Sequence, residues 1–272
     1  MLYCSVNGQK STSLSVTDRA FAYGDGLFTT AKIENGKVSL LTQHINRLKN
    51  GVQRLNLINI DFTAISDELK QLAQAYNIAV VKVIISAGSG GRGYSRQGAD
   101  QPTVVISVFD FPSHYITWQK QGVTLGLSEQ RLGVNPMMAG MKHLNRLEQV
   151  LLRAELDQTH VDDLVVRNID DDIIETTCAN LFCLIDNVLY TPLIEHSGVA
   201  GLMRNVTLAL FPQTIIKKIG LSELLSAQEI FICNSVMGIV PVNSLNSQVL
   251  AINKIKHIQY AVSASIHTKD DK

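Results

Sequence analysis

Lys142 is the residue of this sequence with the clearest chemical opportunity. It follows a loop, Gly133-Val134-Asn135-Pro136-Met137-Met138-Ala139-Gly140, and precedes a run in which Leu144, Leu147, Leu151 and Ala154 recur at helical spacing. The spacing predicts a packed helix over about Asn145 to Leu156, with Lys142 projecting from the junction before it. An amine mounted there, with no obligation to lie on a wet helix face, suits the making and breaking of a Schiff base with a carbonyl compound. Most lysines are solvated surface charges, so the reading needs companions.

Glu175 is one. It follows Ile173-Ile174, where a strand should be entering the core, and a buried carboxylate needs a partner. The adjacent Asp170-Asp171-Asp172 reads as a solvated turn. Gly198-Val199-Ala200-Gly201-Leu202-Met203-Arg204-Asn205 is a small-residue loop entering a helix predicted over Met203–Leu210, and the N–H groups at such a helix start make an anion site. Cys233-Asn234-Ser235 ends a strand with two short polar side chains that can cap a turn or hold an anion. His44 and Arg47 are three apart in a predicted helix over Gln43–Leu55, so both can face one side. An arginine so near a helix start mismatches the dipole, which either an anionic ligand or plain surface placement explains. A lysine amine, a buried acid and a helix-start anion site are together what pyridoxal phosphate chemistry requires.

The elements that must carry these residues read as mixed α and β. An opening hairpin pairs Leu2–Val6 with Ser13–Val16. A loop, Asp18 to Thr30, sets Gly24 and Gly26 around Asp25 among the aromatics Phe21, Tyr23 and Phe28, and reads as packed on the core. Thr29–Ile33 and Lys37–Leu41 form a hairpin across Asn35-Gly36. A helix follows over Ile65–Tyr76, then strands Val80–Ser86 and Thr103–Phe109. Between those strands, Gly88-Ser89-Gly90-Gly91-Arg92-Gly93-Tyr94-Ser95 lacks the Gly-Lys-Ser/Thr ending of a phosphate loop. It reads as a mobile hairpin loop that offers Arg92 and Tyr94 to a carboxylated ligand.

The pattern breaks at Phe111-Pro112-Ser113, which divides the chain into a domain of residues 1–113, a linker of 114–121 and a domain of 122–272. Strands are expected in the second half near Val123–Leu127, Asp163–Arg167, Asn180–Ile185, Val188–Thr191, Glu229–Cys233 and Gly238–Val242. A last helix is expected over Val249–Ala261, and the polar tail His267–Lys272 should fray.

Across 272 residues, 24 Lys and Arg balance 24 Asp and Glu, so no basic excess points to nucleic acid. No run is long and apolar enough to span a membrane, and the N-terminus has no signal pattern. Cys4, Cys178, Cys183 and Cys233 lack metal-ligand spacing and read as buried free thiols of a cytoplasmic protein, with no metal expected.

Several of these stretches resemble one family. Tyr23-Gly24-Asp25-Gly26 with Phe28, His44-Ile45-Asn46-Arg47-Leu48, Lys142 with Leu144-Asn145-Arg146-Leu147, Glu175 to Asn180-Leu181-Phe182, Gly201-Leu202-Met203-Arg204 and Cys233-Asn234 are similar, in order, to the fold-type IV pyridoxal phosphate enzymes. The resemblance implies an α+β fold: a smaller N-terminal α/β domain and a larger C-terminal domain with a β-barrel-like core, usually as a homodimer. It implies Lys142 as Schiff-base lysine and catalytic base, Arg47 on the phosphate and Glu175 on the pyridine nitrogen. Asn180, Gly201, Leu202, Met203, Asn234 and Ser235 are implied around the cofactor. Tyr23, Phe28, Arg92 and Tyr94 are candidates for substrate by placement.

Within that group, Gly24–Thr30, Gly88–Ser95 and Met141–Leu151 look most like the 4-amino-4-deoxychorismate lyases, which form 4-aminobenzoate and pyruvate. Aminotransferases of this fold usually place a tyrosine four residues after the lysine, where Arg146 stands here. A D-amino acid or branched-chain aminotransferase is the alternative on the same fold, and a non-catalytic binding protein the alternative outside it.

Overall fold

The computed structural model describes residues 1–270, which divide into two compact units. One comprises Met1–Pro112 and Lys142–Asn145; the other comprises Ser113–Met141 and Arg146–Ile266. The short segment bearing Lys142 thus belongs with the N-terminal unit, although its neighbours in sequence belong to the other.

The first unit is built from β1 (Tyr3–Val6), β2 (Gln9–Lys10), α1 (Arg19–Tyr23), β3 (Gly26–Glu34), β4 (Lys37–Val38), α2 (Leu41–Arg54), α3 (Phe62–Ala73), β5 (Ile78–Ser86) and β6 (Thr103–Phe109). Its strands make an antiparallel sheet of order β2-β1-β6-β5-β3-β4. Alternate residues of β3, namely Leu27, Thr29, Ala31 and Ile33, are buried, as a half-covered sheet requires. The apolar ones join Ile45, Leu48 and Val52 of α2 and Ile65 and Leu69 of α3 in one core. Asn35 and Gly36 have φ of 51° and 76°, the left-handed pair that a tight hairpin turn needs. A similar turn at Asn7-Gly8 brings Gln9–Lys10 back onto β1, so Ser13–Val16 is not the returning strand.

The second unit contains α4 (His114–Gln121), β7 (Val123–Leu132), α5 (Leu147–Leu156), β8 (Asp163–Asn168), β9 (Ile173–Thr176), β10 (Asn180–Ile185), β11 (Val188–Pro192), α6 (Leu202–Leu210), β12 (Ile215–Lys217), α7 (Leu221–Leu225), β13 (Glu229–Asn234), β14 (Gly238–Leu245), β15 (Gln248–Val249) and α8 (Asn253–Asp270). Its sheet runs β12-β11-β10-β13-β14-β7-β8-β9, with β15 on β14. The β9 end packs back against β10 and β11, so the sheet curls into a half-barrel around Leu125, Val165, Leu181, Ile232 and Val240.

Four expectations need correction. Residues 114–121 form a helix, not a linker, because Tyr115 and Trp118, three apart, pack on the second core. In α5 the buried residues are Leu152 and Leu156, while Leu147 and Leu151 are 71% and 48% exposed. Two apolar stripes share that helix, and spacing alone could not choose between them. The last helix starts at Asn253, where the Glu229 carboxylate accepts from the backbone N–H groups of Lys254 and Ile255, leaving Gln248–Val249 free to pair with β14. Cys178 is exposed rather than buried. The expected fraying of His267–Lys272 falls in part on Asp271 and Lys272, outside the described residues; the backbone of α8 runs to Asp270. Among the described residues, no helix is long and apolar enough to cross a membrane.

Candidate active site

In the first unit, Lys142 sits on extended chain held against the start of β3. Phe28 N–H donates to the Lys142 carbonyl at 2.9 Å, and Leu144 N–H donates to the Gly26 carbonyl at 3.0 Å, an antiparallel bridge centred on Leu27 and His143. Gly26 permits that approach: a Cβ there would fall 2.3 Å from the Ile85 carbonyl oxygen and 2.8 Å from the Leu144 side chain. The Lys142 ammonium lies 4.7 Å from the centroid of the Phe28 ring, and the Lys82 ammonium lies equally close to the same ring. Burial lowers the pKa of Lys82.

His44, on the buried face of α2, is 1% exposed. Its Nδ1 is 2.6 Å from the Thr29 hydroxyl, and its buried Nε2 has no hydrogen-bond partner. Burial drives its pKa down to about 3, with the positive charges of Arg47 and Lys142 acting in the same direction. Thr29 escaped the sequence reading, although a hydroxyl among the inward Leu27, Ala31 and Ile33 of β3 was a visible signal.

The loop between β5 and β6 is tied down rather than loose. Arg19, whose side chain is 4% exposed, donates to four of its carbonyls and pairs with Asp25. Arg92 and Tyr94 stand outward from it, and the Tyr94 and Tyr23 rings lie 5.6 Å apart. Phe21 is also exposed, so the aromatics of this turn are not core.

In the second unit, Glu175 on β9 is buried, as its position after Ile173-Ile174 suggested. Its Oε2 accepts from Val199 N–H at 3.1 Å and from Asn180 Nδ2 at 3.3 Å. Asn180 in turn donates to the Val199 carbonyl and accepts from Gly201 N–H at 3.0 Å. One side chain therefore ties the acid to the entry of α6. Gly201 is that helix's N-cap, and no side chain caps it, so the first N–H groups of Leu202 and Met203 have no partner within the helix. A Cβ at Gly201 would lie 2.0 Å from Asn180 Oδ1, so the cradle has no room for one. Arg146 donates from Nη2 to the Met141 carbonyl at 2.7 Å; burial lowers its pKa, and the charges of Glu175 and Glu148 oppose that shift. Asn234 uses its Oδ1 on Val236 and Met237 N–H and its Nδ2 on the Cys178 carbonyl, so it shapes its own turn. Ser235 follows it in that turn.

The first unit thus assembles Lys142, Phe28, Arg47 and His44, and the second assembles Glu175, Asn180, Gly201, Leu202 and Met203. Among the buried nitrogens without a hydrogen-bond partner are His44 Nε2 in the first unit and Arg204 Nε in the second. Such orphans are rare in folded chains and point to a group that completes them. An acid with two donors and an uncapped helix start fit a cofactor with a basic nitrogen and a phosphate.

The chain matches the Amino-transferase class IV family over residues 26–245 and belongs to it. It is 40% identical to an aminodeoxychorismate lyase of Vibrio harveyi, over 89% of this chain and 91% of that one. A crystal structure of 4-amino-4-deoxychorismate lyase from Pseudomonas aeruginosa superposes with a TM-score of 0.90 at 34% identity, covering 96% of this chain and 98% of that one. A pyridoxal-phosphate-bound hypothetical aminotransferase from Mycobacterium tuberculosis shares the fold, with a TM-score of 0.86 at 18% identity, over 98% and 99% of the two chains.

Proposed function

We propose that this chain is a pyridoxal-phosphate-dependent lyase that converts 4-amino-4-deoxychorismate to 4-aminobenzoate and pyruvate. The observation that carries the reading is the likeness to the Vibrio harveyi lyase along nearly the whole of both chains. Support for the cofactor comes from the buried Glu175 and the uncapped, glycine-lined start of α6. Bound pyridoxal phosphate supplies an electron sink that stabilises negative charge on the carbon beside the substrate nitrogen.

Lys142 Nζ would be the amine that holds the cofactor through its aldehyde, and when released it would serve as the base for the ring proton on the carbon bearing the substrate amine. Its backbone bond to Phe28 and the ring beneath its ammonium restrict where that base can move. Glu175 would keep a proton on the pyridine nitrogen. Arg47 and the N–H groups of Leu202 and Met203 would hold the phosphate. Asn180 sets the distance between acid and phosphate cradle, and Asn234 and Ser235 shape the turn beside it. Tyr23, Phe28, Arg92 and Tyr94 contact substrate. The electrons of that C–H bond form the new ring double bond as the C–O bond to the enolpyruvyl group breaks; the departing enolate takes up a proton to become pyruvate, and aromatisation drives the reaction forward.

The same reading makes the protein a cytoplasmic homodimer with a small-molecule substrate and no nucleic-acid or membrane partner. The exposed apolar Leu147, Val150 and Leu151 of α5 support self-association. The test is conversion of enzymatically generated aminodeoxychorismate by purified holoenzyme. Conversion of bound cofactor to its amine form by a simple amino acid, without 4-aminobenzoate, would mark an aminotransferase instead.

A further inference from the structure

The loop between β5 and β6 has an unusual internal support. Gly90, Gly91 and Gly93 have φ of 124°, 73° and 57°, conformations that turn successive carbonyls inward. Those carbonyls converge on one buried guanidinium. Arg19 Nη1 donates to the carbonyls of Gly90, Gly93 and Ser95 at 3.4, 3.2 and 3.0 Å, and Nη2 donates to that of Tyr94 at 3.2 Å. Its Nε donates to Asp25 Oδ2 at 2.8 Å, and its backbone N–H donates to the Gly88 carbonyl. Arg96, at the far end of the loop, closes on the same Asp25 carboxylate. The two guanidiniums hold the Asp25 pKa below its usual value against the opposing effect of burial.

Asp25 lies in the turn that also carries the Lys142 segment. On either side of it, the carbonyl of Gly24 accepts from Asn145 Nδ2 at 3.0 Å, and that of Gly26 accepts from Leu144 N–H at 3.0 Å. One turn therefore fixes both the Lys142 segment and the loop that displays Arg92 and Tyr94.

From this geometry we infer that Arg19 is a positioning residue for substrate recognition: it holds the 90–95 loop in a preformed shape so that Arg92 and Tyr94 meet the carboxylates of the substrate. The inference rests on the lyase reading for its ligand, a ring with two carboxylates, and on the geometry alone for the clip. Only a planar fork can reach four carbonyls and a carboxylate at once; a lysine keeps the charge for Asp25 but not the fan of donors. Ordering the loop beforehand lowers the entropy lost on binding, so its effect belongs in KM rather than in kcat.

The experiment compares wild-type and Arg19→Lys holoenzymes by steady-state lyase kinetics and by trypsin cleavage after Arg92, followed by intact mass. The expected result is a KM for aminodeoxychorismate raised about tenfold or more with kcat nearly unchanged. Cleavage at Arg92 should be faster by a similar factor, with the cofactor absorbance unaltered. In an Arg92→Ala/Tyr94→Ala background, adding Arg19→Lys should leave KM where it was, because the presented groups are already gone. Equal cleavage rates, a loss confined to kcat, or a full KM penalty persisting in that background would each overturn the inference. Arg19→Gln, with the same expected outcomes, replaces Arg19→Lys if the latter does not fold. A wild-type enzyme that makes no 4-aminobenzoate overturns the lyase reading instead, and the cleavage comparison then still decides whether Arg19 holds the loop.

Discussion

Phe28 and Lys142 are joined twice: the Phe28 N–H donates to the Lys142 carbonyl at 2.9 Å, and the lysine ammonium lies 4.7 Å from the Phe28 ring centroid. The backbone bond fixes where the lysine emerges, and the ring biases where its amine rests. Holding a reactive group in its working geometry adds to a rate beyond what its presence alone supplies.

Phe28→Leu keeps the backbone bond and removes the ring. The expected result is cofactor still bound and kcat lowered about tenfold, the size of one lost cation–π contact. Steady-state rates beside the visible spectrum of the holoenzyme check it. A kcat equal to wild type would remove Phe28 from the account.

Asn180 makes three bonds, to Glu175, Val199 and Gly201. Asn180→Ala should weaken pyridoxal phosphate binding about tenfold or more, since the acid and the helix start lose their common tie. Gly201→Ala should do comparable harm by forcing a methyl against Asn180 Oδ1. The two losses should not add: with Asn180 truncated, the added methyl has room. Titration of apo-protein fluorescence with the cofactor measures all four dissociation constants, and strict additivity would contradict the geometry.

Glu175→Gln leaves the fold's hydrogen bonds largely in place but removes the negative charge. Turnover should fall by at least about a hundredfold while the cofactor remains bound. Retained turnover would mean that Glu175 does not hold the ring nitrogen's proton.

His44 has a folded-state pKa of about 3 against an ordinary 6.5. The folded protein therefore binds fewer protons than the unfolded chain between those values. Its contribution to stability is complete above pH 6.5 and is lost as pH falls toward 3, at up to about 1.4 kcal/mol per pH unit. Urea unfolding at pH 7 and pH 5 should show a drop about 2 kcal/mol larger in wild type than in His44→Gln. Equal drops in the two proteins would mean that His44 is not held neutral.

Much of this was readable from residue order because local rules governed it. Asn35-Gly36 specified its turn, Ile173-Ile174 announced the burial of Glu175, and the glycines before Met203 announced a helix start. Where two local signals competed, tertiary packing decided. The apolar stripe through Leu147 and Leu151 was as regular as that through Leu152 and Leu156, and only the sheet beneath α5 selects the second. Tyr115 and Trp118 make a helix of a stretch whose leading Pro112 and Ser113 suggested a break. The clip of Arg19 on the 90–95 loop was invisible because it joins residues over seventy positions apart, and glycine-rich sequence alone suggests looseness.

Purified holoenzyme supplied with aminodeoxychorismate, with 4-aminobenzoate fluorescence and pyruvate followed in the same tube, is the decisive experiment. The two products should appear in equal amounts, and both should be absent with Lys142→Ala. Equal products from Lys142→Ala at a substantial fraction of the wild-type rate would contradict Lys142 as the base, and a wild-type holoenzyme that forms neither product would contradict the lyase assignment itself.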